Sequence, residues 1–360
     1  MEIEEKFEVV GGHFMEDKML LKTLCEGYGP SGREHWLYDE IYNAFSSYGQ
    51  VSIDNLNNII IHKKGKGLGK IMLMAHLDEI FMVVTAIKEN GYLEFKTNGI
   101  DVKTLVSQEV IVHGKEHVLG VIGIKPPHLM KDEERSKAVT LDTLLIDTGY
   151  RKEELEKLVK VGDYVTVKRN FRELLNDNIT CKALDDRAGV VSIFSCLKEL
   201  ENINHDLDVY VVCSAQEEVG HRGAKTATNF INPDIGIAID VTFDGGKMGA
   251  RDRENNLGDG PVICIGPNIH PKVRERLTEV AKEYNIPYQV EVEPGSTGTD
   301  AWDIQISGEG IATLLISIPL KYMHTSVEVA NMKDIRNTGR LMAKFIEKLN
   351  GEDLEGLLCF

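Results

Sequence analysis

Four short runs along the chain are almost wholly apolar: Lys70 to Ala75 (KIMLMA), Val209 to Ala215, Ile235 to Ile239 and Ile311 to Ile318. Runs of this length without polar alternation predict strands covered on both faces. Segments with helical spacing precede or separate the last three, at Arg187–Leu200, His221–Phe230 and Pro271–Tyr284. Strands alternating with helices predict an α/β domain built on a mainly parallel sheet with helices on both faces.

The N-terminal part adds smaller elements. A helix is expected over Glu16–Glu26 and ends at Gly27-Tyr28-Gly29-Pro30, where two glycines free the backbone and a proline cannot continue a helix. Ser31 and Glu34 have the spacing of a capping box for a second helix running to about Phe45. Val51–Asp54 and Ile59–His62 read as two strands around Asn55, Asn57 and Asn58. The lysine-rich stretch Lys63–Lys70 lacks the GxxxxGK[ST] spacing of a phosphate loop and reads as a turn.

From Phe81 to Phe171 the pattern changes to Val, Thr and Ile broken by Asn-Gly and Gly-Asp turns, with a helix expected only near Glu153–Val159. This reads as a small β domain inserted into the α/β domain. The division is therefore 15–80 with 172–350 for the α/β domain and 81–171 for the insert, in which His128–Lys137 reads as a polar, mobile loop. No internal repeat is present.

Composition narrows the classes of function. The chain has 360 residues, with 41 Lys+Arg against 57 Asp+Glu, a formal charge of −16. With 42% apolar and 27% charged residues it suits a packed globular protein. The acidic balance argues against nucleic acid, whose binding draws on Lys and Arg, and against an anionic membrane surface. No apolar run reaches the roughly 18 residues of a membrane span. Met1–Phe14 is acidic, without the basic and apolar regions of a signal peptide, and reads as a frayed extension. Six scattered cysteines with no CxxC pair fit reduced thiols and a cytoplasmic location.

The chemistry lies at the ends of the apolar runs. The first leads into His76-Leu77-Asp78, the second into Glu217-Glu218, the third ends at Asp240, and the fourth is followed by His324. Asp185-Asp186 sits just before a helix. Ligands gather at the carboxyl ends of strands in such sheets, so residues distant in sequence are expected to meet there. Imidazole and carboxylate suit Zn²⁺ or Co²⁺. Two ions could share one carboxylate, activate a water and polarise a carbonyl. Asp78 is placed to hold the second nitrogen of His76. Of the adjacent Glu217 and Glu218, one can ligate while the other acts as general base. Each feature is weak alone; their shared position at strand ends carries the signal.

The strings AHLDEI (Ala75–Ile80), GVIGIKPPH (Gly120–His128), ALDDRAG (Ala183–Gly189), QEEVGHRGA (Gln216–Ala224), AIDVT (Ala238–Thr242), GTDA (Gly298–Ala301) and YMHTSVE (Tyr322–Glu328) resemble metallopeptidase family 42, the glutamyl and tetrahedral aminopeptidases. The resemblance runs in order from about residue 18 to 350. It implies two divalent metal ions per subunit, one on His76 and Asp240, the other on Glu218 and His324, with Asp185 bridging. It implies Glu217 as general base, Asp78 as the partner of His76, a cis peptide between Asp185 and Asp186, and Asp300 as a loop residue near the substrate. It further implies short peptides as substrates and homo-oligomers, from dimers through the insert to tetrahedral dodecamers. Two departures, Phe81 where relatives have Gly and Thr297 before Gly298, bear on pocket shape.

Other readings share parts of this set. A metal-dependent deacylase of small amides would use the same ligands without requiring a free amino terminus. An endoglucanase needs two carboxyl groups about 5–9.5 Å apart across a sugar ring. It would leave His76 and His324 without a role, and the chain has only 2 Trp to stack sugars. A non-catalytic module with a degenerate site is disfavoured by the complete ligand set.

Overall fold

The computed structural model describes residues 15–132, 137–246, 255–351 and 354–358. Met1–Phe14 and part of the His128–Lys137 loop lie outside the described residues.

Among the described residues, seventeen strands are numbered in chain order. Those of the α/β domain are β1 (Gln50–Ile53), β2 (Ile59–Lys63), β3 (Lys70–His76), β12 (Asp208–Ser214), β13 (Ile235–Phe243), β14 (Val262–Ile265), β15 (Gln289–Val292) and β16 (Ala312–Leu320). They form one sheet in the order β1-β2-β12-β3-β13-β16-β14-β15. The centre, β12-β3-β13-β16, is parallel. On one flank β1 and β2 join antiparallel, and on the other β14 runs antiparallel to β16 while β15 runs parallel to β14. The expected mainly parallel sheet is therefore a mixed one with a parallel centre. The physical reason on the first flank is a tight turn. The Asp54 carboxylate accepts from the amides of Leu56 and Asn58 and from the Asn58 side chain, and Asn57 takes φ 74°, so the chain reverses into a hairpin.

The helices used below are α1 (Asp17–Glu26), α2 (Tyr38–Phe45), α3 (Leu184–Glu199), α4 (Arg222–Ile231), α5 (Pro271–Glu283), α6 (Ala301–Gln305) and α7 (Met332–Lys348). Every residue of α3 from Leu184 to Leu197 is buried, so the helix is enclosed by its neighbours on all sides. The predicted capping box is not formed. Glu34–Leu37 is a short 3-10 turn leading into α2, with Arg33 at its N-terminal boundary. Ser31 and Glu34 instead direct their side chains at the site described below.

The insert is a closed barrel of β4 (Phe81–Ile87), β5 (Leu93–Asn98), β8 (Leu145–Asp147), β7 (His117–Gly123), β6 (Glu109–His113) and β9 (Tyr164–Val167), in that order. Closure leaves no free edge. The barrel has its own core, including Val84, Leu93, Val110, Val112, Ile122 and Val165. The larger core lies around the eight-stranded sheet. A third, small sheet joins β10 (Arg172–Glu173), β11 (Asn178–Cys181) and β17 (Glu328–Asn331). Among the described residues no helix is long and apolar enough to cross a membrane.

Helix α7 packs directly on α3 at Gly339. A Cβ there would lie 2.5 Å from the Ser192 carbonyl oxygen and 2.7 Å from the Ser195 Cβ. Gly339→Ala is therefore expected to push the helices apart and cost about 1–3 kcal/mol. The check is a lower denaturant midpoint at unchanged slope.

Candidate active site

The carboxyl ends of β3, β12, β13 and β16 face a cleft of about 440 Å³. His76, the last residue of β3, is buried and supplies one wall. Asp240 lies on β13, Glu217 and Glu218 follow β12, and His324 follows β16. Asp185 enters from the first turn of α3. That turn opens with Ala183 at φ 54° and carries a cis peptide between Asp185 and Asp186.

The Asp185 carboxylate lies between two imidazoles. Its Oδ1 is 2.9 Å from His76 Nε2, and its Oδ2 is 3.4 Å from His324 Nε2. His324 Nε2 is also 3.4 Å from Glu218 Oε1. The ligand atoms of His76, Asp185 and Asp240 lie within 4.8 Å of one another, as do those of Asp185, Glu218 and His324, and of His76, Glu217 and Glu218. The charge balance follows from this crowding. Burial raises the carboxyl groups of Glu218 and Asp240. Burial would raise Asp185 too, but hydrogen bonds from His324 and His76 hold it well below the usual range. Hydrogen bonds to Asp185 and Glu218 push His324 up to about 11. The two imidazoles thus face the buried carboxylates with the hydrogen-bonding partners that such carboxylates require. Two imidazoles and three carboxylates, one of them the shared Asp185, are a nitrogen and oxygen donor set that fits divalent ions of the Zn²⁺ or Co²⁺ type.

The predicted partner of His76 is present in modified form. His76 Nδ1 is 3.2 Å from the Asp78 main-chain carbonyl and 3.6 Å from its carboxylate. An N–H at Nδ1 donates to that carbonyl and leaves Nε2 facing Asp185. The Asp78 carboxylate has other work. It accepts from Ser31 Oγ at 2.6 Å and from the amides of Glu217 and Glu218 at 3.0 and 3.2 Å. It therefore fixes the turn that carries both glutamates.

Asp300 sits behind the cleft rather than in its lining, which includes its neighbours Thr297, Gly298 and Thr299. It is buried at the start of α6 and accepts from Ser214 Oγ. Burial, with Glu217 nearby, pushes its carboxyl up to about 7.

The sequence reading did not assign Glu328, Glu34 or His221. Glu328 is buried. Its Oε2 accepts from the amides of Leu184 and Asp185, and its Oε1 from the His324 amide. One carboxylate thereby ties two separate segments of the site together. Glu34 accepts from the amides of Gly32 and Gln216, and burial with Asp78 nearby pushes it up to about 7. Glu328 stands in the YMHTSVE string, four residues after His324; no spacing rule assigns it a role.

Strand ends that gather imidazoles and carboxylates in one cleft of an α/β fold form a site that could hold divalent metal ions. The chain belongs to the M42 glutamyl aminopeptidase family, whose model matches residues 57–341; it is an aminopeptidase, a hydrolase of peptide bonds. It is 38% identical over 351 residues to the lysyl aminopeptidase of Pyrococcus furiosus, with 94% of this chain and 99% of that one covered. Among solved structures it is similar to an aminopeptidase from the archaeon Desulfurococcus kamchatkensis, with 39% identity and a TM-score of 0.87 over 94% of this chain and 96% of that one. It is also similar to a TET peptidase of Pyrococcus horikoshii, described as assembling into a tetrahedron or a large octahedral shell. There the identity is 31% and the TM-score 0.82, over 93% of this chain and 100% of that one.

Replacing Glu328 by Gln keeps the shape but turns an amide group toward main-chain N–H donors. E328Q is expected to fold and to lose metal affinity by roughly 10–100-fold. Metal titration of the stripped protein, followed by circular dichroism, measures both.

Proposed function

We propose that the chain is a two-metal aminopeptidase that removes amino-terminal residues from short peptides. The observation that carries this reading is the Asp185 carboxylate held between His76 and His324, with Glu217 beside it. His76 and Asp240 would hold one divalent ion, Zn²⁺ or Co²⁺, and Glu218 and His324 the other, with Asp185 shared. Bound there, the ions supply Lewis acidity for the scissile carbonyl and make water a better nucleophile.

The chain's own residues do the rest. Glu217 Oε2 lies 4.0 Å from His76 Nε2, next to the ligand cluster without belonging to its two ion sites. It takes a proton from the attacking water as the water oxygen bonds to the acyl carbon. It returns that proton to the amine nitrogen as the C–N bond breaks. Asp78 keeps Glu217 and Glu218 in register through their amides. Asp300 acts from behind through Ser214 and Glu217 rather than on the substrate.

The cleft wall includes Glu293, and a relative is named a lysyl aminopeptidase. Both support a preference for basic over acidic amino-terminal residues. The barrel supports self-association through the 81–171 insert, because Leu119 and Val121 point outward from β7 at 51% and 48% exposure. The TET relative's assembly favours a closed homo-oligomer. The buried cysteines Cys25, Cys181, Cys196 and Cys213 are free thiols, which suits a cytoplasmic location.

Aminoacyl-p-nitroanilides, with and without N-acetylation, test the activity. Free substrates are expected to be cleaved, chelation to stop the reaction, and Zn²⁺ or Co²⁺ to restore it. Equal cleavage of blocked substrates would favour the deacylase. E217Q is expected to lower kcat by roughly 10²–10⁴-fold with metal content unchanged. In the same panel Lys and Arg substrates are expected to exceed Glu, and E293Q to narrow that gap.

A further inference from the structure

His221 lines the cleft, yet neither the ion sites nor the proton transfer described above uses it. It stands at the start of α4 with φ 50°, its amide donating to the Glu217 carbonyl at 3.0 Å. This backbone carries the imidazole across to the Glu217 side chain. Nε2 is 3.1 Å from Glu217 Oε1, and Nδ1 is 3.2 Å from Asp303 Oδ2 on α6. A neutral imidazole has one N–H, so donating to both carboxylates requires the protonated ring. The hydrogen bond to Glu217, against an opposing cost of burial, pushes His221 up to about 9. The ring therefore stays charged at neutral pH. The other groups acting on this chain are Asp300, through space on the imidazole, and Lys225, whose Nζ is 3.9 Å from Asp303 Oδ1.

One Glu217 oxygen is thus occupied by His221 and the other faces His76. We propose that His221 is a positioning residue that anchors the Glu217 carboxylate by one oxygen, backed by Asp303, so that the other is presented to the reacting water. This rests on the reading of Glu217 as general base. A carboxylate at the end of a flexible side chain otherwise samples several orientations, and most of them point away from the attacking water.

Two near-isosteres separate the halves of the chain. Gln at 221 places an amide N–H near the position of Nε2 and can still serve Glu217. Asn places one near Nδ1 and can serve only Asp303. H221N and H221L are expected to lower kcat by roughly 10–100-fold with KM within about twofold. H221Q is expected to recover most of the rate. Metal content and melting temperature should match the parent in all three. Crystal structures should show Glu217 in one orientation in H221Q and in several in H221N. In an E217Q background, H221L should cost nothing further.

Full activity in H221N, or an H221Q as slow as H221L with metal and fold intact, would overturn the positioning role. An E217Q protein that keeps its rate would instead overturn the general-base reading, which separates the two failures.

Discussion

Negative charge is the constraint on which this structure depends. Asp185, Glu217, Glu218 and Asp240 converge on one cleft, and Asp78, Asp186, Asp300 and Glu328 are buried around it. Removing a carboxylate from water costs several kcal/mol unless hydrogen-bond donors or cations replace the water. A sequence that collects so many at one end of a sheet must supply those partners from nearby. Much of the local backbone is arranged to do so.

The donors come mainly from main-chain amides. Asp78 takes two from the Glu217-Glu218 turn, Glu328 takes three from Leu184, Asp185 and His324, and Glu34 takes two from Gly32 and Gln216. Several of these segments contain a non-glycine residue at positive φ: Ala183, Gln216, His221 and His324. Such backbone is disfavoured for residues with a Cβ and persists where the surroundings over-determine it. Here the over-determination is visible. The ligand side chains point inward while their own and neighbouring amides turn toward the supporting carboxylates.

This explains what could be read in the sequence and what could not. His76, Glu217, Glu218, Asp240 and His324 were legible because parallel strands must deliver their ends to one edge. Asp185, in the first turn of α3, joined them in the sequence reading as a residue just before a helix, and its shared role came from the family resemblance. Glu328 and Glu34 were not legible, because their partners are amides of segments that become neighbours only after folding. Ser31 and Glu34 satisfied a helix-capping pattern, yet tertiary hydrogen bonds to Asp78 and Gln216 claimed both. The flanking antiparallel strands escaped for a similar reason. An apolar run reveals burial on two faces but not the direction of the neighbour that buries it. The family resemblance gave Asp300 as a loop residue near the substrate; its side chain is buried and accepts from Ser214, a contact that no spacing in the sequence announces.

The inserted barrel also belongs to this scheme. Asn98, at the end of β5, donates to the Glu218 carbonyl at 3.1 Å. The Tyr164 hydroxyl on β9 donates to the Ser31 carbonyl at 3.2 Å, and Ser31 in turn holds Asp78. Below them Glu79 pairs with Lys182 at 2.6 Å and with Arg187 at 3.1 Å, all three buried. Arg187 also reaches the carbonyls of Leu24, Gly27 and Leu77. This network joins the end of α1, the link from β3 into the barrel, the return from the barrel and the start of α3. A buried pair of this kind costs much of what it returns in stability. Its partners are nevertheless fully engaged, and they lie on the two chain crossings between the domains. The crossings hold His76-Leu77-Asp78 on one side and Asp185 on the other. Whatever fixes the barrel to the sheet therefore also fixes the distance between the first imidazole and the shared carboxylate.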